Sequence, residues 1–115
     1  MEKDLFLSDY NEETNTVSII LCGEIDHHSA VIIRREIDNM LLHTHPKNLI
    51  IELYSVDFMD SSGLGLIMGR FSLMQKLGGT TILRNPNERI KKILSLAGME
   101  RIIKIERTTE KNEKK

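Results

Sequence analysis

The sequence predicts an α/β domain with a mainly parallel open sheet and an antiparallel edge hairpin at its N-terminus. Apolar runs of strand length alternate with helical stripes along the chain, and a polar connector joins the first two runs. Glycine or proline follows each predicted helix. Strands that alternate with helices of this length imply right-handed crossovers, and therefore a mainly parallel sheet.

The N-terminal half supplies the hairpin, the first helix and a central strand. Residues 5–7 and 16–22 are predicted strands, and the polar connector 11–15 between them suits an antiparallel hairpin. One apolar stripe indicates the first helix, which ends before Pro46. The stripe comprises Ala30, Ile33, Ile37, Met40 and Leu41. The next run, 48–53, is almost continuously apolar, which is typical of a strand covered on both faces.

The C-terminal half supplies two more helices and two more strands. The second helix starts within a residue or two of Ser61 and ends at Gly78-Gly79, whose freedom at positive φ permits a sharp exit. Its predicted stripe comprises Leu64, Ile67, Met68, Phe71 and Met74. Residues 80–83 form the next strand. Asn85-Pro86-Asn87-Glu88 then predicts a third helix with Asn85 as its N-cap, and 102–105 form a last short strand.

Length and composition indicate one domain and a protein partner. The 115 residues are 40% hydrophobic, enough for one core, which we assign to residues 4–105. Residues 106–115 carry no apolar anchor, and we expect a mobile charged tail. The formal net charge is -1 and the basic residues are scattered, so neither nucleic acid nor a membrane surface is expected as a partner.

Cysteine use and the N-terminus predict a cytoplasmic protein. Cys22 lies in an apolar strand pattern, which predicts a buried thiol in a reducing compartment. The first residues lack the basic-then-apolar order of a signal peptide, and no apolar run approaches the ~20 residues that span a bilayer.

The segment 58–65 ends a predicted strand, crosses a tight polar turn and begins a helix. One hydroxyl of Ser61 or Ser62 can cap that helix, and a modified or reactive serine is the alternative interpretation. Asp26 also follows a predicted strand. Because functional groups gather at the carboxyl ends of parallel strands, Asp26 and Asp60 are neighbours if their strands are adjacent. Asp26 is equally a candidate helix cap.

The sequence lacks the motifs of a serine hydrolase and of a phosphate-binding loop, and its glycines and histidines have simpler explanations. No glycine stands two residues before Ser61, as the hydrolase elbow requires, and the glycines do not end in the Gly-Lys-Ser/Thr of a phosphate loop. Gly65 and Gly69 share one helical face, which suits either close helix packing or a docking partner. The histidine pairs 27–28 and 43/45 lie at opposite ends of one predicted helix, too far apart for one metal site. We therefore predict no catalytic residue, cofactor or metal ligand.

Three motifs resemble the STAS domain family. They are Gly23-Glu24-Ile25-Asp26-His27-His28, Phe58-Met59-Asp60-Ser61-Ser62-Gly63-Leu64-Gly65, and Gly69-Arg70. The resemblance extends over about residues 5–105. The Asp-Ser-Ser-Gly turn resembles the anti-sigma factor antagonist branch of the family, and the chain is most similar to its sporulation members. Antagonists of general stress regulation share the serine turn.

This resemblance implies a STAS-like β-α superhelix and a regulatory switch that is not an enzyme. Similar proteins bind an anti-sigma factor that is also a serine kinase and displace the sigma factor. They are then phosphorylated on the first serine of the turn, here Ser61, and a dedicated serine phosphatase resets them. The implied partner-binding residues are Asp26, Asp60, Ser62, Gly63, Leu64 and Gly65. No stripe suited to self-pairing is evident, so a monomer is expected. A small ligand-binding or hydrolytic domain that uses Ser61 is the alternative.

Overall fold

An open five-stranded sheet and three helices make up the computed structural model, which describes residues 5–108. In chain order the elements are β1 (Phe6–Asn11), β2 (Thr16–Ile25), α1 (His27–Thr44), β3 (Asn48–Met59), α2 (Ser61–Lys76), β4 (Thr80–Arg84), α3 (Glu88–Leu96), a 3₁₀ turn (Met99–Arg101) and β5 (Lys104–Glu106). The strands lie in the order β1-β2-β3-β4-β5, with β1 antiparallel to β2 and all other pairs parallel. The predicted fold class is confirmed.

The helices cover one face of the sheet. The strand order advances by one strand at each crossover, and right-handed crossovers then place every helix on the same side. On β3, the side chains of Leu49, Ile51 and Leu53 are buried, whereas Ile50 and Glu52 between them remain partly exposed. The prediction that this strand is covered on both faces is therefore wrong, because Ile50 makes a one-sided strand look continuously apolar.

The buried side of α2 differs from the predicted stripe. It consists of Gly63, Leu66, Ile67, Arg70 and Met74. The predicted members Leu64, Met68 and Phe71 are only half-buried. The helix is rotated because Gly63 packs directly against the end of β3. In α1 the predicted stripe is confirmed except for Met40, which is half-buried.

β2 and β3 continue beyond their predicted ends and beyond the strands that flank them. The pairing of β1 with β2 ends at Leu21, and the pairing of β4 with β3 ends at Glu52. The β2–β3 ladder extends to Ile25 and Met59 through two register shifts. Gly23 lies at the second shift with φ of 77°, a conformation that glycine adopts without strain. The two strands thus project together at the carboxyl edge of the sheet.

The start of α3 lies two residues later than predicted. Asn87 is its N-cap, and the Asn87 side chain accepts a 2.8 Å hydrogen bond from the backbone N–H of Ile90. Asn85 is instead a left-handed turn residue with φ of 56°. Both asparagines suit a cap, but asparagine also tolerates the left-handed conformation that the turn requires.

The C-terminal segment is described as far as Thr108. Glu106 ends β5, and the backbone N–H of Thr108 donates a 2.9 Å hydrogen bond to the Asn85 side chain. Residues 109–115 of the predicted tail lie outside the described residues.

The burial of Cys22 differs from the prediction. The side chain of Cys22 is only partly buried, so the predicted buried thiol is wrong; Cys22 lies next to a register shift in the projecting part of β2. Among the helices of residues 5–108, none is long and apolar enough to cross a membrane.

Candidate functional site

The two projecting strands end side by side and bring the starts of α1 and α2 together. Ile25 and Met59 are partners in the parallel ladder. One residue later, the backbone N–H of Asp60 donates a 3.3 Å hydrogen bond to the carbonyl oxygen of Ile25. The predicted adjacency of the ends that carry Asp26 and Asp60 is confirmed.

Asp26 caps α1 through a capping box with Ser29. The backbone N–H of Ser29 donates to Asp26 Oδ1 at 2.9 Å, and the backbone N–H of Asp26 donates to Ser29 Oγ at 3.0 Å. The hydrogen bond from the Ser29 backbone N–H, and a 3.1 Å hydrogen bond that the Ser29 hydroxyl donates to Asp26 Oδ1, lower the pKa of Asp26 below its ordinary value, and nearby His28 adds to the effect. The Asp26 side chain nevertheless remains exposed. Asp26 is therefore a helix cap that also presents a negative charge to the surface.

Asp60, and not a serine, is the cap of α2. Asp60 Oδ1 accepts a 2.8 Å hydrogen bond from the backbone N–H of Ser62, so the interpretation of a serine as the N-cap is wrong. Ser61 is the first helical residue and is exposed. Within residues 5–108 its hydroxyl makes no hydrogen bond to another side chain or to the backbone. The turn presents this hydroxyl at the helix N-terminus.

The remaining predicted surface residues differ in their exposure. Ser62 and Leu64 are half-buried and Gly65 is exposed. Gly63, which the family resemblance implies as a partner-binding residue, is buried. A Cβ on Gly65 or Gly69 would meet no other atom within 4 Å. Close helix packing therefore does not explain these two glycines, and the smooth open face remains.

Among residues 5–108, the surroundings of Ser61 provide neither a hydrogen-bonded base nor a metal-binding group. Nothing in the described part of the chain hydrogen-bonds to Ser61 as a general base would. No group of three histidine, cysteine or acidic side chains is arranged to hold a metal among residues 5–108. The histidine pairs lie at the two ends of α1, as predicted.

Sequence reasoning missed an ion pair that joins α1 to α2. Arg70 is buried in α2, and its Nε lies 2.8 Å from Asp38 Oδ1 on α1. Burial lowers the pKa of the Arg70 guanidinium; the Asp38 carboxylate opposes this and the like charge of Arg34 reinforces it. The signal in the sequence was the position of Arg70, three residues after Ile67 and four before Met74, which places it on the buried side.

Comparison with known proteins identifies the family to which this fold belongs. The chain matches the STAS domain family over residues 9–112. It therefore belongs to the STAS domain family.

Its relatives within the family are anti-sigma factor antagonists. The chain is 38% identical over 84 residues to the anti-sigma F factor antagonist of Lysinibacillus sphaericus, covering 73% of this chain and 72% of that protein. It is 33% identical over 102 residues to the anti-sigma-B factor antagonist of Bacillus subtilis, covering 89% of this chain and 92% of that protein. The solved structure of the Bacillus cell fate determinant SpoIIAA in the phosphorylated form has a TM-score of 0.73 and 32% identity, covering 93% of this chain and 94% of that one.

Proposed function

We propose that this protein is the antagonist of an anti-sigma factor with serine kinase activity. In the unphosphorylated state it binds that factor and frees the sporulation sigma factor. Phosphorylation of Ser61 then switches it off, and a serine phosphatase restores it. We expect it to act in the cytoplasm as a monomer and to catalyse no reaction itself.

The exposed Ser61 hydroxyl is the observation that carries this proposal. Asp60 caps α2 in its place, so modification of Ser61 removes no hydrogen bond from the described fold. A hydroxyl that is exposed and has no base beside it suits an acceptor of phosphate better than a nucleophile. The phosphorylated form of the structural relative SpoIIAA supports the same type of modification here.

The charges around Ser61 explain how a phosphate would act. A phosphoserine carries roughly -1.5 to -2 charges at neutral pH. At Ser61 it would adjoin the carboxylates of Asp60 and Asp26, and all three would have to be desolvated on docking. Binding is therefore expected to weaken through repulsion and desolvation.

The same phosphate should leave the fold almost unchanged. Ser61 is the first residue of α2, where the helix dipole favours an anion. The Asp60 carboxylate keeps its hydrogen bond from the backbone N–H of Ser62, so the cap of α2 need not change. The switch thus operates at the surface.

The sporulation branch and the general-stress branch remain the two candidates for its pathway. The more identical of the two relatives compared above is an anti-sigma F factor antagonist, whereas the alignment with the anti-sigma-B factor antagonist covers more of the chain. We favour the sporulation branch because of the higher identity and the three motifs described in the sequence.

Titration calorimetry of the unphosphorylated protein against a purified anti-sigma F factor and a purified anti-sigma-B factor tests this proposal. We expect tight binding to the anti-sigma F factor and at least about tenfold weaker binding to the other, a difference of about 1.4 kcal/mol. The opposite order would assign the protein to the general-stress branch. Failure to bind either factor would overturn the proposed function.

A further inference from the structure

A cavity of about 250 Å³ opens between the first turns of α1 and α2, on the helix side of the candidate site. Its lining includes His27, Val31 and Arg34 from α1, together with Ser62 and Gly65 from α2. Gly65 has no side chain and so leaves the α2 wall open. A Cβ added there would point into open space, since it would meet no atom within 4 Å. The cavity is a preformed surface recess lined by Ser62, the residue that follows Ser61.

The volume favours a side chain over a cofactor. Pockets for small-molecule ligands measure about 300–1,000 Å³, larger than this one. A cavity of about 150 Å³ is already enough to hold a benzene molecule. Ala30, Val31 and Leu66 give the recess between α1 and α2 an apolar part, so it has room for one large apolar side chain.

Arg34 lies on the cavity wall and has no ion-pair partner among the described residues. It is exposed and makes no ion pair with any residue between 5 and 108. The carboxylate one turn further along α1, on Asp38, pairs with Arg70 instead. The guanidinium of Arg34 is thus available to an anionic group from outside.

We propose that this cavity receives one large apolar side chain of the anti-sigma factor, and that an acidic side chain next to it in the partner binds Arg34. The inference rests on the proposed function and adds the chemistry of the partner's contact segment. The carboxylates of Asp26 and Asp60 lie at the N-caps of α1 and α2, whereas Arg34 lies about two turns further along α1, so negative and positive groups are separated along the helices. This division would orient the docking segment, because reversal would place like charges together.

Filling the cavity is the direct test, and Gly69 provides a matched control. Gly65→Leu and Gly69→Leu both add a side chain to an open position on α2, but only Gly65 lines the cavity. With the anti-sigma factor that binds the wild-type protein, we expect Gly65→Leu to raise Kd at least about tenfold and Gly69→Leu to change it less than about twofold. Both variants should melt no lower than the wild-type protein. Unchanged binding of Gly65→Leu, or an equal loss in both variants, would overturn the inference.

A second pair of variants tests the charge and does not depend on filling the cavity. Arg34→Gln and Arg35→Gln remove one charge each from exposed neighbouring positions of α1, and only Arg34 lines the cavity. We expect Arg34→Gln to raise Kd about fivefold or more and to make Kd less dependent on salt concentration. Arg35→Gln should change Kd little. Equal effects of the two would contradict the assigned role of Arg34.

The failure of the proposed function and the failure of this inference give different results. If the wild-type protein binds neither anti-sigma factor, the proposed function fails. If the wild-type protein binds and both Gly65→Leu and Arg34→Gln bind equally well, only this inference is overturned.

Discussion

A Cβ atom placed on Gly63 would lie 2.7 Å from the Cβ of Met59, closer than two such atoms can approach. The first turn of α2 therefore rests directly on the end of β3. This contact sets the rotation of α2, and it determines that Ser61 and Gly65 face outward while Gly63 faces the core.

Gly63→Ala should destabilise the fold because the added methyl group must displace Met59. We expect a loss of about 1–3 kcal/mol in the free energy of unfolding, measured by urea denaturation. Gly65→Ala is the matched control, since it adds the same group to the same turn in open space. That variant should gain up to about 1 kcal/mol through helix propensity. Equal stability of the two variants would contradict the packing described for Gly63.

Asp26→Asn separates the capping role of Asp26 from its charge. Asparagine can still cap α1, so the melting temperature should change little. If the carboxylate pairs with a basic residue of the anti-sigma factor, Kd should rise about 30-fold or more in titration calorimetry. Ser29→Ala is the complementary variant, because it weakens the capping box and keeps the charge. Equal affinity of Asp26→Asn and wild type would leave Asp26 a purely structural role.

The lowered pKa of Asp26 predicts that the stability of the fold decreases at acidic pH. Because the folded-state pKa lies below the unfolded value of about 3.9, the stabilisation is present above that pH. It is lost as the pH falls through the folded-state pKa. An NMR titration should place the Asp26 midpoint below the ordinary aspartate range. Ser29→Ala should raise this midpoint only part of the way to the ordinary value, because the backbone N–H of residue 29 still donates to the Asp26 carboxylate. An ordinary midpoint in the wild-type protein would refute the capping geometry.

The loss of stability on breaking the Asp38–Arg70 ion pair should depend on which partner is replaced. Asp38→Asn leaves a buried guanidinium without its counter-charge, and we expect a loss of about 1–3 kcal/mol in the free energy of unfolding. Arg70→Met replaces the buried charge with an apolar chain and should change stability by less than about 1 kcal/mol, since Asp38 is partly exposed. Glu36→Gln, at an exposed position of α1, serves as the control. A larger loss for Arg70→Met than for Asp38→Asn would contradict this account.

The sequence was sufficient to predict the alternation of elements and the meeting of the two strand ends. Both follow from local patterns, the apolar periodicity and the turn residues, together with the general rule for crossovers. Asp26 was recognised as a candidate cap for the same reason, since a capping residue at a helix start is a local feature.

The details of the site depend on contacts between distant residues. Asp60, Ser61 and Ser62 can all cap a helix, and local sequence does not choose among them. The rotation of α2 and the burial of Arg70 follow from packing on β3 and from a carboxylate 32 positions away. The extension of β2 and β3 passes through register shifts that interrupt the strand periodicity.

Phosphosite mapping with a paired binding measurement tests the central claim most directly. The wild-type protein, Ser61→Ala and the neighbouring control Ser62→Ala are incubated with the anti-sigma factor that binds the wild-type protein and with Mg-ATP, and each is analysed by mass spectrometry and calorimetry. The account predicts one phosphate on Ser61 in the wild-type protein and in Ser62→Ala, with weakened binding, and none on Ser61→Ala, which still binds. Ser61→Asp should weaken binding only in part, because a carboxylate has less charge than a phosphate. Phosphate at normal stoichiometry on Ser61→Ala, or undiminished binding by the phosphorylated wild-type protein, would contradict the account.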